Sequence, residues 1–346
     1  MSERLARVTL MRLAEPGDAV MGRLVAVHGP EAAVEQIRQG RMDPEFVRWF
    51  ARSHGRGSPG PRENGLPAVG DPFPVGRDRS PAMSDRLPAG GDQLPVTNDP
   101  PPVGGDQLPA GGDPHRVACD RSPAVGDPFS VEGDRSPAMS DRLLPKLERL
   151  LASWAARLET ADPGRDLAEG EWSGARLLIP GDSEWPTQLD DLGDSRPYAL
   201  WLHGQANLRF SCLRSVAIVG SRAATPYGTH VAAEFGAGLS ERGWSVVSGG
   251  AYGIDGAAHR GALACGTPTI AVLACGTDVT YPSAHHDLFA IVRSQGVLVS
   301  ECPMGTRPTR PRFLVRNRLI AALSRGTLVV EAAVRSGALN TAGHAT

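Results

Sequence analysis

From Ser215 onward the chain repeats one pattern, a short apolar run followed by a helix-length stretch and then another apolar run. The runs are Val216-Ala217-Ile218-Val219, Ser245-Val246-Val247-Ser248, Thr269-Ile270-Ala271-Val272-Leu273, Gly296-Val297-Leu298-Val299-Ser300 and Thr327-Leu328-Val329-Val330-Glu331. Runs this short and this rich in β-branched residues read as buried strands. Strands alternating with helices imply βαβ units, which pair in parallel and carry helices on both faces of the sheet. The predicted fold is therefore α/β, with a Rossmann-like, mostly parallel sheet. Two further strands, Arg176–Ile179 and Leu200–Gly204, are expected to lead into it, separated by the turn Pro180–Pro186.

Ligands in such sheets sit beyond the carboxyl ends of the strands. Each predicted strand end here runs into small or polar residues: Gly220-Ser221-Arg222, the stretch Gly249-Gly250-Ala251-Tyr252-Gly253-Ile254-Asp255, Gly276-Thr277-Asp278, Glu301-Cys302-Pro303 and Glu331-Ala332. Gly220 permits a sharp turn and close approach to a ligand, and Pro226 suits the first turn of a helix. That helix would aim free N–H groups at an anion, with Arg222 adding charge. Without a spaced G-x-G-x-x-G, this loop alone reads equally well as a tight turn with a surface arginine. A second cradle at Gly249, Gly250 and Gly253 on the same rim favours an anion site.

The segment from Arg307 to Arg318 carries five arginines (Arg307, Arg310, Arg312, Arg316, Arg318), one aromatic (Phe313) and no acid. Spaced guanidiniums can follow a nucleic-acid backbone while an aromatic ring stacks on an unpaired base. The competing reading is a solvated helix start with Phe313 packed inward beside Leu314, Leu319 and Ile320. The absence of neutralising acids in the segment argues against it for the arginines.

Several chemistries are disfavoured. Lys146 is the only lysine, which excludes a G-x-x-x-x-G-K-[ST] phosphate loop. Five cysteines (Cys119, Cys212, Cys265, Cys275, Cys302) are odd in number and widely spaced, so neither a zinc ribbon nor a disulfide framework is expected. His285 and His286 are adjacent and lack a third ligand, so no metal site is assigned, and no cofactor. Hydrolysis of a bound nucleotide would have to use Asp255, His259, His285, His286, Glu301 or Glu331. Related Rossmann-like phosphoribohydrolases use P-G-G-x-G-T-x-x-E, where this chain has Glu331-Ala332-Ala333. Asp255, at a helix start, is better suited to capping amides than to acting as a base. No catalytic residue is assigned, and the nucleotide hydrolase stands as the alternative. Residues 214–346 hold 12 arginines against 7 acids, a net of +5, whereas the remainder holds 24 basic and 31 acidic residues, a net of −7. A basic C-terminal part points to a polyanionic partner. No run of eighteen apolar residues occurs and Met1–Leu13 lacks a signal-peptide core, so a cytoplasmic protein with no membrane contact is expected.

The N-terminal part divides by composition. Residues 1–53 read as a small helical segment, with Ala19, Val20, Leu24 and Val27 on one face, a break at His28-Gly29-Pro30, a second helix over Glu31–Gln39, and a third through Phe46, Val47 and Phe50. The Gly-Pro break is compatible with a helix-hairpin-helix (or SAM-like) DNA module and equally with a packing domain. Residues 54–142 are rich in Gly, Pro, Asp, Ser and Arg, and AVGDPFPVGRDRSPAMSDRL from Ala68 recurs as AVGDPFSVEGDRSPAMSDRL from Ala124. A duplicated segment without an apolar face is expected to be a disordered linker insertion. Residues 143–171 resume helical spacing through Leu144, Leu147, Leu150, Leu151, Trp154 and Leu158, suited to packing on the first helices, and 172–346 form the Rossmann-like domain.

The motifs GSR at Gly220, GGAYGID at Gly249, GTDVTYP at Gly276, SECPMG at Ser300, FLVRNRLIAALS at Phe313 and VVEAAVRSGALNTA at Val329 resemble, in order and spacing, the DNA-processing protein A (DprA/Smf) family. The resemblance covers 172–346 strongly, including GDSEWPTQLDDL, and the N-terminal helices weakly. It implies a protein of DNA uptake and recombination that binds single-stranded DNA, protects it and loads RecA recombinase onto it in natural transformation (competence). The family's phosphate pocket carries over to Gly220, Ser221, Arg222, Gly249, Gly250 and Arg316-Asn317-Arg318. Its basic residue upstream of the aromatic falls at Arg310, with Arg312 beside it, and its base-contacting aromatic at Phe313. Members usually continue into another strand and helix, so a chain ending at Thr346 is expected to be a C-terminally truncated member. The family's homodimer and RecA-facing surface involve that later part, which leaves both open for this chain. The insertion is atypical of the family.

Overall fold

The structure, a computed structural model, describes residues 1–55, 137–333 and 336–345. Most of the duplicated insertion therefore lies outside the described residues. The chain opens with helices α1 (Glu3–Leu13), α2 (Ala19–His28), α3 (Pro30–Gln39) and α4 (Pro44–Gly55), and resumes with α5 (Pro137–Leu158) and α6 (Pro163–Trp172). Asp18 caps α2 by accepting from the amides of Val20 and Met21, and Gly29, with φ +81, reverses the chain before Pro30 starts α3. Helix α5 begins ahead of the expected Leu143, with Pro137 in its first turn. Leu10, Leu13, Met21, Leu24, Ile37, Phe46, Phe50, Leu147 and Trp154 form one core that continues into Tyr198 and Trp201. The first helices and α5 thus bury one another and rest against the sheet.

Seven strands follow among the described residues: β1 (Ala175–Leu178), β2 (Leu200–Gly204), β3 (Ser215–Gly220), β4 (Ser245–Ser248), β5 (Ile270–Leu273), β6 (Val297–Ser300) and β7 (Thr327–Val330). They form one sheet in the order β1-β2-β6-β5-β4-β3-β7. β3 to β7 pair in parallel, whereas β1 and β2 join antiparallel through β2 against β6. Between them run α7 (Leu208–Leu213), α8 (Pro226–Glu241), α9 (Ile254–Ala264), α10 (His286–Gln295) and α11 (Arg310–Ala322), and α12 (Gly337–His344) follows β7.

The period-2 alternation of the strands decides which helix covers which face. Ala217, Val219, Val247, Ile270, Val272, Val297 and Val299 meet Leu208, Cys212, Leu319, Ile320, Leu323 and Ala338, under α7, α11 and α12. On the other face Ile218 and Val246 pack on Ala232, Ala257, Ala258 and Ala262 of α8 and α9. Ala271, Leu273 and Leu298 pack there on Leu288, Phe289 and Val292 of α10. Small residues let α8 and α9 touch closely: a Cβ on Gly236 or Gly261 would collide with the backbone of the opposite helix. None of the described helices is long and apolar enough to cross a membrane.

Trp154 is almost fully buried and lies at the centre of the helical core. Trp154→Ala should cost about 3–5 kcal/mol, read as a lower urea midpoint by far-UV circular dichroism.

Candidate functional site

Because β3 to β7 are parallel, their carboxyl ends share one edge. β4, β5 and β6 extend the sheet to one side of β3, and β7 returns on its other side, so the strand order reverses between β3 and β7. Doubly wound sheets hold ligands at such a reversal. Here the chain's own carboxylate occupies it. Glu331, at φ +53, accepts from the Thr225 amide at 3.0 and 3.1 Å and from the Thr225 hydroxyl at 2.9 Å. Thr225 is the N-cap of α8, and its Oγ1 accepts from the Gly228 amide at 3.1 Å. The carboxylate satisfies the Thr225 amide and complements the helix dipole as a phosphate would. A Cβ on Gly228 would collide with Oε2 of Glu331, so glycine is required for that seat.

The glycines of the two predicted cradles serve close approaches inside the protein. A Cβ on Gly220 would strike the carbonyl of Val330, and one on Gly253 would strike the carbonyl of Ser221. The Ser221 amide donates to the Glu331 carbonyl at 2.7 Å, and its own carbonyl accepts from Ile254 N–H at 3.2 Å. The two loops are therefore joined. A Cβ on Gly250, at φ +67, would collide with the ring of Phe289. At Gly249 the obstruction is the guanidinium of Arg316. Arg316 reaches from α11 to donate to the carbonyls of Gly249 at 2.9 Å and of Val272, and it is buried. Burial lowers its pKa to about 10, reinforced by Arg222 and opposed by Asp255, so it stays charged at neutral pH.

The arginine segment divides into two groups. Arg318 is buried in a two-pronged pair with Glu301, at 2.6 Å on each oxygen. Arg312 pairs with Glu15 at 2.8 and 2.9 Å and donates to the Arg307 carbonyl. Asn317 donates to the Gly337 carbonyl and to Asn340 Oδ1. Arg316, Asn317 and Arg318, expected at a phosphate, are all three buried and hydrogen-bonded to other parts of the protein. The neutralising acids exist, but they come from distant parts of the chain. Arg222, Arg307 and Arg310 are exposed and form no ion pair among the described residues. Phe313 is half-buried and belongs to none of the apolar clusters of the described residues. The Arg222 guanidinium lies over its ring at 4.8 Å from the centroid, that of Arg316 at 5.9 Å, and Tyr281 meets it at 5.6 Å. Among the expected site residues the fold brings Arg222, Arg316 and Phe313 together, with Arg310 one helical turn before Phe313. Sequence reasoning placed Glu331 on this rim without its role at the start of α8, and it gave no part to Tyr281, whose contact with Phe313 joins segments distant in the chain.

Apart from the exposed His286, the groups considered for hydrolysis are engaged elsewhere. Asp255 accepts from the amides of Gly249 and Ala251 at 3.2 and 3.3 Å, and burial raises its pKa. The His285 ring bonds the Gly250 carbonyl through Nδ1. Thr269 donates its hydroxyl to the Val246 carbonyl, so His259 Nδ1 carries the proton donated to Thr269, at 2.8 Å. That leaves His259 Nε2 buried without a partner among the described residues, and burial lowers the pKa to about 3. Burial raises the thiols of Cys212 and Cys275 to about 12 and that of Cys302 to about 11, which suits inert packing. No cluster of metal-ligating side chains occurs among the described residues.

The mostly parallel, doubly wound sheet with helices on both faces defines a Rossmann-like α/β domain. The family model described as DNA recombination-mediator protein A matches residues 176–346. A DprA-named protein of Mycobacterium tuberculosis is 52% identical over 180 residues, covering 49% of this chain and 46% of that protein. Protein Smf of Escherichia coli is 45% identical over 167 residues, covering 48% and 44%. The X-ray structure of DNA processing protein A from Streptococcus pneumoniae matches at 35% identity and a TM-score of 0.50, covering 56% of this chain and 67% of that one. The chain belongs to the DNA-processing protein A (DprA/Smf) family. Its matched segment spans about half the length of the first two relatives.

Glu301→Gln removes the partner of a buried guanidinium and should destabilise the fold by about 3–5 kcal/mol, measured by urea unfolding at neutral pH. His259 has a folded-state pKa below its unfolded value of about 6.5, so the unfolded chain binds the extra proton and stability falls as pH drops from 6.5 towards 3. Between pH 6.5 and 5 the wild type should lose about 1 kcal/mol per pH unit through this group, and His259→Gln should show a correspondingly flatter slope.

Proposed function

We propose that the rim beyond β3 to β7 binds single-stranded DNA. The observation that carries this reading is the stacking of the Arg222 guanidinium on Phe313, flanked by the unpaired Arg307 and Arg310. Exposed guanidiniums without acids retain their charge for phosphates, and a partly open ring stacks only on a base not already paired. Gly220, Ser221, Gly249 and Gly250 shape the loops that hold Arg222 in place, while Arg312, Arg316, Asn317 and Arg318 set the position of α11. On this reading the chain acts in DNA uptake and recombination, in the cytoplasm. Family membership supports the further roles of protecting incoming strands, loading RecA and forming homodimers.

The nucleotide hydrolase reading is less favoured. Its phosphate seat at the start of α8 already holds Glu331, and Asp255, His259 and Glu301 are engaged in internal contacts. Incubation with nucleoside monophosphates should release no base.

Binding is tested by fluorescence anisotropy with labelled oligonucleotides across a salt series. Arg222→Ala and Arg310→Ala should each weaken binding to all sequences and reduce the log-log salt slope by about 0.7. Phe313→Ala should lose about 1–3 kcal/mol with the slope unchanged. Wild-type affinity in all three variants would overturn the assignment.

A further inference from the structure

We propose that Tyr281 is a second base-stacking residue of this rim, and that its tilt relative to Phe313 selects strands whose neighbouring bases are easily unstacked. The inference rests on the single-strand reading and extends it to a residue with no role there.

The ring of Phe313 is already in contact with two guanidiniums, those of Arg222 and Arg316. Tyr281 is the more open surface: it is 44% exposed, and its hydroxyl has no hydrogen-bond partner among the described residues. It is nevertheless held on a firm base. Pro282, next in the chain, is buried, and its carbonyl accepts from the His285 amide at 3.0 Å. His285 is buried and ties the same turn to the Gly250 carbonyl at 3.0 Å. The turn that presents Tyr281 is thus bolted to the loop that Arg316 holds from the other side. A pre-positioned exposed aromatic loses little freedom when a flat ligand covers it.

The two rings stand 5.6 Å apart at their centroids, with planes inclined at 48°. Two successive bases lying on rings so inclined cannot remain stacked on each other. A strand that stacks strongly on itself must give that stacking up, whereas a weakly stacked one does not. Preferences of this kind arise from stacking strength and backbone flexibility rather than from base-edge hydrogen bonds. Arg222, Arg307 and Arg310 supply the positive charge that brings a phosphate backbone to this face.

The test measures binding of deoxythymidine and deoxyadenosine oligomers by the full chain, its Tyr281→Phe, Tyr281→Ala and Phe313→Ala variants, and the double variant. The wild type and Tyr281→Phe should bind the thymidine oligomer alike and prefer it to the adenosine oligomer. Tyr281→Ala should bind between about five- and a hundred-fold more weakly, with an unchanged salt slope and a diminished preference for thymidine. The double variant should bind more weakly than Phe313→Ala. Wild-type affinity in Tyr281→Ala would overturn the proposal. So would a double variant no weaker than Phe313→Ala, which would show that Tyr281 merely supports the other ring. Those results leave the single-strand reading standing if Arg222→Ala still weakens binding, whereas a wild type that binds neither oligomer removes both.

Discussion

The arrangement of the rim depends on the buried guanidinium of Arg316. A charge taken out of water must find hydrogen-bond acceptors, and Arg316 finds them in the carbonyls of Gly249 and Val272 at the ends of β4 and β5. That choice requires glycine at 249, brings the charge within reach of Asp255, and leaves the guanidinium behind the ring of Phe313. One side chain on α11 thereby sets the distance between two loops and the aromatic in front of them. Asp255, below the same loop, satisfies the amides of Gly249 and Ala251. The loop is held from both ends.

A second set of ionic contacts ties the N-terminal helices to the same α11. Arg318 and Glu301 form a buried pair, and Gly17, at φ +73, lets the chain after α1 pass directly over Arg318. Glu15 from that passage holds Arg312, and Arg12 pairs with Asp166 of α6. Together with the core from Leu10 to Trp201, these contacts make the helical segment part of the support of the rim. An acidic residue near the start of the chain thus determines which arginines near its end remain free for a ligand.

The strands were legible because their signal is local. Alternating apolar residues place Ile218 and Val246 on one face and Ala217, Val219 and Val247 on the other whatever the rest of the chain does. The carboxyl-end rim followed from the same alternation, and with it the positions of Arg222, Arg310 and Phe313. Less was legible wherever the decisive partner is distant. Nothing near Arg318 announces Glu301, and nothing near Arg312 announces Glu15. The same holds for the glycines. Each marks a close approach, but whether the approaching group is a ligand or another part of the protein depends on what the fold brings there, and at Gly228 and Gly249 it brings Glu331 and Arg316.

Periodicity and composition alone were enough for the α/β class, the strand boundaries to within a residue or two, and the edge of the sheet on which polar and cationic residues collect, because backbone pairing and apolar burial act over a few residues at a time. The placement of β7 beside β3, the use of Glu331 as the anion at the start of α8, and the division of five arginines into engaged and free groups were decided by tertiary structure. Desolvation is the reason. A charge that is buried must be paired or hydrogen-bonded, and which charges are buried is known only once the chain has folded around them.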